Sequence, residues 1–460
     1  NIWRFPRVAA ENGGGAFLIP WLLFLFTWSI PLLIVEFGMG RAARRGTIGA
    51  FSFIAGKKFA WMGGFVGICT LAIMSYYAVV TGWCLKYLYA AVAGSSGLAA
   101  PERFWEEFAL SGGWQPLFFQ FCALLFGCWI IHRGVNRGLE RVNRIFIPIL
   151  FLLLAATAIR AVTLPGAGAG LSFLFRPEWS RLGHYKIWLE ALSQSAWSTG
   201  AGWGLILTFG VYLRREATVV GHSLATGIGN NIASLLAATA VLPTVFFLRS
   251  QAEAMKLLGM GNEGLTFLVL PQIFRDMPMG RIFLPIFFLA LSLAAISSLI
   301  AMIELGVRLL IDVGWSRRRS VLAVGTVGFV AGIPSALSID FFQNQDWVWG
   351  LGLMVSGLLF AVAVSMHGAK SFRQQYLESP GSRFRLGRWF DILIQYLIPA
   401  QFLAMISWWF TKAIRNDPGG WWNPLHPGGI GTCLFQWGLL LAVLFLFNRR
   451  LAGKAASGSD

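Results

Sequence analysis

The sequence predicts an all-α, polytopic membrane protein, and three observations carry that prediction. Apolar residues come in blocks of roughly 20 or more, the length a helix needs to cross the hydrocarbon core. Of the 460 residues, 56% are hydrophobic and 12% charged, about half the charged share of a soluble domain. The mean hydropathy is +0.65. The basic residues are confined to short links, and they recur in every second one, the positive-inside pattern.

Taken in order, the spans read 1–12 (a fragment), 15–41, 60–92, 115–132, 140–163, 186–212, 219–248, 281–312, 319–337, 346–371, 388–412 and 430–448. The basic links carry Arg41, Arg44, Arg45, Lys57 and Lys58, then Arg133, Arg137, Arg141 and Arg144, and later Arg317–Arg319 and Lys370–Arg388. Arg449, Arg450 and Lys454 close the chain. The net charge of +17 therefore reports topology rather than a nucleic-acid partner, and it places the C-terminus in the cytoplasm. Residues 93–114 and 249–280 are the long outer links, the second amphipathic enough for short surface helices. The chain opens on Asn-Ile-Trp-Arg-Phe-Pro without an initiating Met. The fragment 1–12 is expected to be the second half of a first span whose inner half precedes Asn1. The five cysteines, Cys69, Cys84, Cys122, Cys128 and Cys433, fall within apolar spans, have no metal-ligand spacing and read as inert thiols.

Inside lipid, unpaired backbone groups are expensive, so helix breakers within a span mark a cavity or protein contact. The span 186–212 carries Gln-Ser-Ala-Trp-Ser-Thr-Gly-Ala-Gly-Trp-Gly, with Gly200, Gly202 and Gly204 at its middle. A packing face of small residues does not suit three alternate glycines, which fall on different sides of a helix. A local unwinding is expected, whose free carbonyls and helix-end dipoles make an ion and substrate site. Polar residues elsewhere share helix faces: Gln194 with Ser198, Asn230 with Ser234, and Ala294 with Ser297 and Ser298. Their oxygens are hard neutral ligands of the kind alkali cations take. Each pair alone is the ordinary glue of a membrane bundle; together with the break they point to a site.

Intramembrane ionisable residues are few. Glu36, Glu304 and Asp312 lie on apolar spans, while Arg4 and Asp346 sit at outer ends. Glu36 reads as a pairing residue toward a neighbouring helix. The run Gly259–Gly264 matches a dinucleotide fingerprint, but no strand precedes it. The histidines are scattered singly, and no nucleophile–base constellation is present, so an enzyme is not expected.

Residues 1–6 and the run Ala-Ala-Glu-Asn-Gly-Gly-Gly-Ala-Phe-Leu-Ile-Pro at 9–20 closely resemble the signature of the neurotransmitter:sodium symporters, particularly the bacterial leucine-transporter-like members. Ser-Tyr-Tyr at 75–77, the break at 194–204, Gly-Asn-Asn-Ile-Ala-Ser at 229–234, Ala-Ala-Ile-Ser-Ser at 294–298 and Gln-Asp-Trp at 345–347 extend the resemblance over the whole chain. It implies two inverted five-helix repeats with broken first and sixth helices, followed by two further helices. The first repeat would be 1–163, the second 186–371 and the C-terminal pair 388–452.

The resemblance also implies roles. Asn1, Ser198 and Asn230 would supply side-chain ligands of a first sodium ion. Ala294 through its carbonyl, with Ser297 and Ser298 through their hydroxyls, would hold a second. The substrate pocket would be lined by Ile73, Tyr77, Trp197, Ser198, Gly200, Trp203, Ser298 and Met302, with Tyr77 on the substrate carboxylate. Arg4 and Asp346 would form the outer gate under the Trp197 lid, and Asp312 would belong to the inner gate, its usual arginine partner preceding residue 1. Many bacterial relatives carry an acid where this chain has Ser234, and chloride-dependent relatives carry serine. Gln194, Ser198, Asn230 and Ser234 would then surround chloride, yet Trp21 stands where those relatives place a tyrosine and offers a single N–H donor. Chloride dependence stays open on these residues. Trp197 and Trp203 replace the phenylalanines usual at their positions, and Gly200 frees space between them.

The expected function is sodium-coupled import of an amino acid or related small amine by alternating access, in the inner membrane of a bacterium, by a monomer or homodimer embedded in lipid. The alternatives are a transport-dead receptor of the same fold and a non-functional fragment.

Overall fold

The computed structural model describes residues 2, 4–111, 113–214, 217–248, 251–378 and 385–457. No β-strand occurs among them; Gly14 and Pro177 make an isolated bridge. The chain starts with a short helix, α1 (Arg4–Glu11). Four long helices follow, α2 (Gly15–Ala43), α3 (Lys57–Val92), α4 (Trp114–His132) and α5 (Gly138–Val162). Two short ones come next, α6 (Tyr185–Thr199) and α7 (Leu205–Tyr212). Six more complete the bundle: α8 (Val219–Phe247), α9 (Gly280–Asp312), α10 (Arg317–Leu337), α11 (Ile339–His367), α12 (Arg388–Asn416) and α13 (Ile430–Lys454). Among the described residues, ten helices are long and apolar enough to cross a membrane. The expected span 186–212 is not one of them, because Gly200–Gly204 divide it into α6 and α7.

Helix lengths recur. From α2 to α5 they run 29, 36, 19 and 25 residues, and from α8 to α11 they run 29, 33, 21 and 29. Burial sorts the helices into a core and a shell. The apolar windows of α3 and α11 are 78% buried, against 22% in α5 and 28% in α12 and α13, so the last three turn most of their surface outward. Packing follows that division: α3 lies against α4, α9, α10 and α11, while α8 lies against α5. The broken helix is carried by α2, with α6 beside its N-terminal half and α7 beside its C-terminal half. Gly40 permits the second contact, since a Cβ there would fall 2.0 Å from the Leu207 carbonyl oxygen. Arg44 then fastens the end of α7 by donating to the carbonyl of Val211 at 2.8 Å and to that of Leu213.

One span starts well before the sequence expectation. The helix α11 begins at Ile339 rather than near 346, with the Ser338 hydroxyl accepting the Phe341 N–H at 3.3 Å. Its first turns, Asp-Phe-Phe-Gln-Asn-Gln-Asp, are too polar to stand out as membrane helix, and the Ser338 cap supplies the start signal. The outer link after α8 forms the short helices Gln251–Leu258 and Leu270–Asp276, as its amphipathic pattern predicts.

Candidate functional site

The break between α6 and α7 is a true unwinding. Gly200, Gly202 and Gly204 take φ of 71°, 88° and 77°, left-handed values that glycine alone adopts without cost. Unwinding frees backbone groups, and neighbouring side chains satisfy them. The Glu36 carboxylate on α2, fully buried, accepts the Gly202 N–H at 2.6 Å and the Leu207 N–H at 3.2 Å. Thr70 on α3 donates to the Trp203 carbonyl at 2.6 Å. Thr199 donates to Ser29 at 2.9 Å, and Ser29 reaches the Ser195 carbonyl at 3.0 Å. Glu36 therefore serves the break itself, a more specific task than the helix pairing expected of it. Its signal in the sequence was an acid within an apolar span; its partners were hidden, because backbone N–H groups have no letter. Thr70, Ser29 and Ser195 gave no such signal.

One wall of the expected ion site assembles. Asn230 on α8 donates to the Ser198 hydroxyl at 3.2 Å, and the Ser234 hydroxyl donates back to the Asn230 carbonyl at 3.0 Å. Gln194 and Ser234 are buried beside them in the helices α6 and α8. Asn1 lies outside the described residues. On α9, Ser297 donates to the Asn143 amide oxygen at 3.1 Å, while Ser298 is hydrogen-bonded with Tyr77 of α3. Ala294, Ser297 and Ser298 are each partly exposed within an otherwise buried stretch of α9.

The expected pocket residues are drawn from four elements. Ile73 and Met302 are buried at 0% and 1% exposure. Trp197 meets Trp203 edge-on with ring centroids 5.8 Å apart. A Cβ on Gly350 of α11 would fall 2.3 Å from the Trp197 ring, whereas one on Gly200 would meet nothing within 4 Å. Gly350 thus seats the Trp197 indole, and Gly200 faces open space.

At the start of α1, Arg4 lies over the Trp197 ring, 5.1 Å from its centroid, and donates to Ser193 at 3.5 Å. Asp346 attracts it electrostatically, but the pair is not closed into a contact ion pair among the described residues. Next to it, Arg7 bonds Asn262 at 2.7 Å and Glu11 at 2.9 Å. At the C-terminal end of α9, Asp312 pairs with Arg308 at 2.7 Å and accepts the Gly46 N–H. An arginine one turn earlier on α9 thus meets the acid whose partner was expected ahead of residue 1. Glu304 pairs with Arg317 and accepts the Tyr212 hydroxyl proton at 2.7 Å, so it ties α9 to α10 and α7. A surface depression of about 440 Å³ lined by Glu11, Glu178, Arg181 and Lys186 lies at the α1–α6 end, apart from the break.

An all-helical membrane bundle built around a helix unwound at glycines, with neutral oxygens gathered beside the break, is the architecture of a secondary transporter. The sequence model described as the sodium:neurotransmitter symporter family matches residues 1–109 and 112–451, and the chain belongs to that family. An uncharacterized sodium-dependent transporter of Methanocaldococcus jannaschii is 30% identical, the match covering 92% of this chain and 88% of the relative. A second, from Bacillus subtilis, is 32% identical over 80% of this chain and 84% of its own length. The crystal structure of MhsT in complex with L-phenylalanine superposes with a TM-score of 0.78 at 30% identity, covering 88% of this chain and 94% of MhsT. The protein is an integral, multi-pass, sodium-coupled transporter of a small molecule, and not an enzyme.

Proposed function

We propose that this chain imports an amino acid by sodium-driven alternating access, with the substrate held between Trp197, Trp203 and the α3–α9 wall. The observation that carries the reading is the break of α6 from α7, stapled by Glu36 and flanked by the Ser198–Asn230 contact. Its helix ends and neutral oxygens suit an alkali cation beside a zwitterion, and L-phenylalanine in MhsT supports the substrate class. The first sodium ion takes Ser198, Asn230 and Asn1; the second takes Ala294, Ser297 and Ser298. Tyr77 holds the substrate carboxylate, Trp197 closes over it, Arg4 and Asp346 gate the outside, and Asp312 belongs to the inner gate. The recurring helix lengths support division into inverted repeats at 1–163 and 186–371, with 388–452 appended. The arginine-rich links support a cytoplasmic C-terminus, in a bacterial inner membrane. A transport-dead receptor would share the pocket but not the counterflow.

The test is a binding screen of the amino acids against purified protein, in sodium and in potassium. Binding that appears only in sodium, and that weakens tenfold or more in Asn230→Ala, supports the assignment. Sodium-independent binding of every ligand overturns it.

A second reading, favoured by one observation, adds chloride. The Trp21 indole N–H is buried without a hydrogen-bond partner, and buried donors rarely stay so. An anion beside Gln194, Ser198, Asn230 and Ser234 would accept a hydrogen bond from the Trp21 N–H. Replacing chloride by gluconate in the same assay decides the point: lost binding supports chloride, unchanged binding dismisses it.

A further inference from the structure

Asn143 sits in the first turns of α5, among Arg141, Val142 and Arg144, where the positive-inside pattern alone would explain the neighbouring residues. Its amide oxygen nevertheless reaches across to α9 and accepts the Ser297 hydroxyl proton at 3.1 Å. Helix α5 is the least buried of the spanning helices, with 22% of its apolar window covered. A directed polar contact from such a helix to a partly exposed serine in the middle of α9 is more than routine interhelical glue, because that serine belongs to the proposed second ion site.

A hydroxyl that ligates a cation must aim a lone pair at the ion and its proton away from it. The proton then needs an acceptor outside the coordination shell, and fixing it there removes a rotor that sodium would otherwise have to order. We propose that Asn143 is a positioning residue for the second sodium ion: by accepting the Ser297 proton, it aims the Ser297 lone pairs toward Ala294 and Ser298. The inference rests on the proposed function, in which Ser297 is a sodium ligand. The amide is suited to the task because its oxygen accepts without carrying charge, so sodium affinity is set without a titrating group at the cytoplasmic end of the site. Asn143 touches neither substrate nor the reacting ion in this arrangement; it acts through Ser297.

The experiment measures substrate binding to the full-length protein in detergent as sodium is varied, for wild type, Asn143→Ala and Asn143→Asp. Asn143→Ala is expected to raise half-saturating sodium roughly three- to tenfold, the effect of one hydrogen bond, with substrate affinity at saturating sodium unchanged. A role in packing alone would weaken both together or neither. Asn143→Asp keeps the acceptor and adds a carboxylate, so it is expected to restore sodium affinity and to make that affinity rise with pH through the carboxylate's titration. Unchanged half-saturating sodium in Asn143→Ala, with wild-type sodium dependence intact, overturns this inference alone. Sodium-independent binding by the wild type overturns it together with the function on which it rests.

Discussion

The Glu36 carboxylate and the Gly202 amide, 166 positions apart in sequence, meet at 2.6 Å in the buried centre of the bundle. One side chain on α2 thereby satisfies the backbone that the glycines of the broken helix leave open. A second oxygen of the same carboxylate takes the Leu207 N–H at the head of α7, so the two sides of the break are referred to one point on α2.

Replacing Glu36 by Gln should expose that dependence. One carboxylate oxygen becomes an NH₂ group facing a backbone N–H, which leaves a buried donor unmet at a cost of about 1–3 kcal/mol. The expected result is a lower thermal midpoint in detergent and lost substrate binding. An unchanged midpoint would show that water or another group can satisfy the break.

Gly200 and Gly202 should respond differently to the same change. Both have left-handed backbones, for which an L side chain costs about 1–2 kcal/mol. At Gly202 the added Cβ would also fall 2.8 Å from the Gly357 Cα, whereas at Gly200 it would enter open space. Gly202→Ala is expected to yield little folded protein by size-exclusion chromatography, while Gly200→Ala folds and shifts ligand preference toward smaller side chains. Equal yields of the two would contradict the packing assigned to Gly202.

Gly350 should be coupled to the lid. An alanine there overpacks against Trp197, a strain of about 1–3 kcal/mol that the indole relieves by moving. Gly350→Ala alone is expected to weaken substrate binding, and adding Trp197→Phe should recover part of the loss. Additive losses in the double variant would separate the two residues.

In the link between α11 and α12, Arg373 donates to both oxygens of Asp391 at 2.9 and 3.0 Å and to Glu378 at 2.9 Å. The Asp391 hydrogen bonds hold the Arg373 guanidinium above its usual range. Such a raised group contributes its full stabilisation below its unfolded-state value and loses it only as the pH rises through the folded-state one. Raising the pH to about 10 should therefore leave this tie intact, arginine titrating only above about 12. Asp391→Asn should lower stability by about 2–3 kcal/mol, read as a drop in thermal midpoint.

Much of this was legible in the sequence, for identifiable reasons. The spans follow from block length, and the break follows from three alternate glycines that no packing face explains. The Ser198–Asn230 contact was foreshadowed by residues that share faces with their neighbours. What escaped were interactions between side chain and backbone, such as Glu36 with Gly202 and Thr70 with Trp203, since the acceptor or donor leaves no trace in residue identity. Arg308 pairs with Asp312 one turn away, a spacing that the sequence contains but that the resemblance, with its partner arginine ahead of residue 1, does not imply. Asn143 lies between Arg141 and Arg144 of a basic link and carries no sign of its partner in the sequence. Only the approach of α5 to α9 makes it a neighbour of Ser297.

Uptake into proteoliposomes under an imposed sodium gradient tests the central claim most directly. With the amino acid identified by the binding screen, an inward sodium gradient should accumulate it above the outside concentration, and a sodium ionophore should abolish the accumulation. Uptake that merely equilibrates, indifferent to sodium on either side, would contradict sodium coupling through this site.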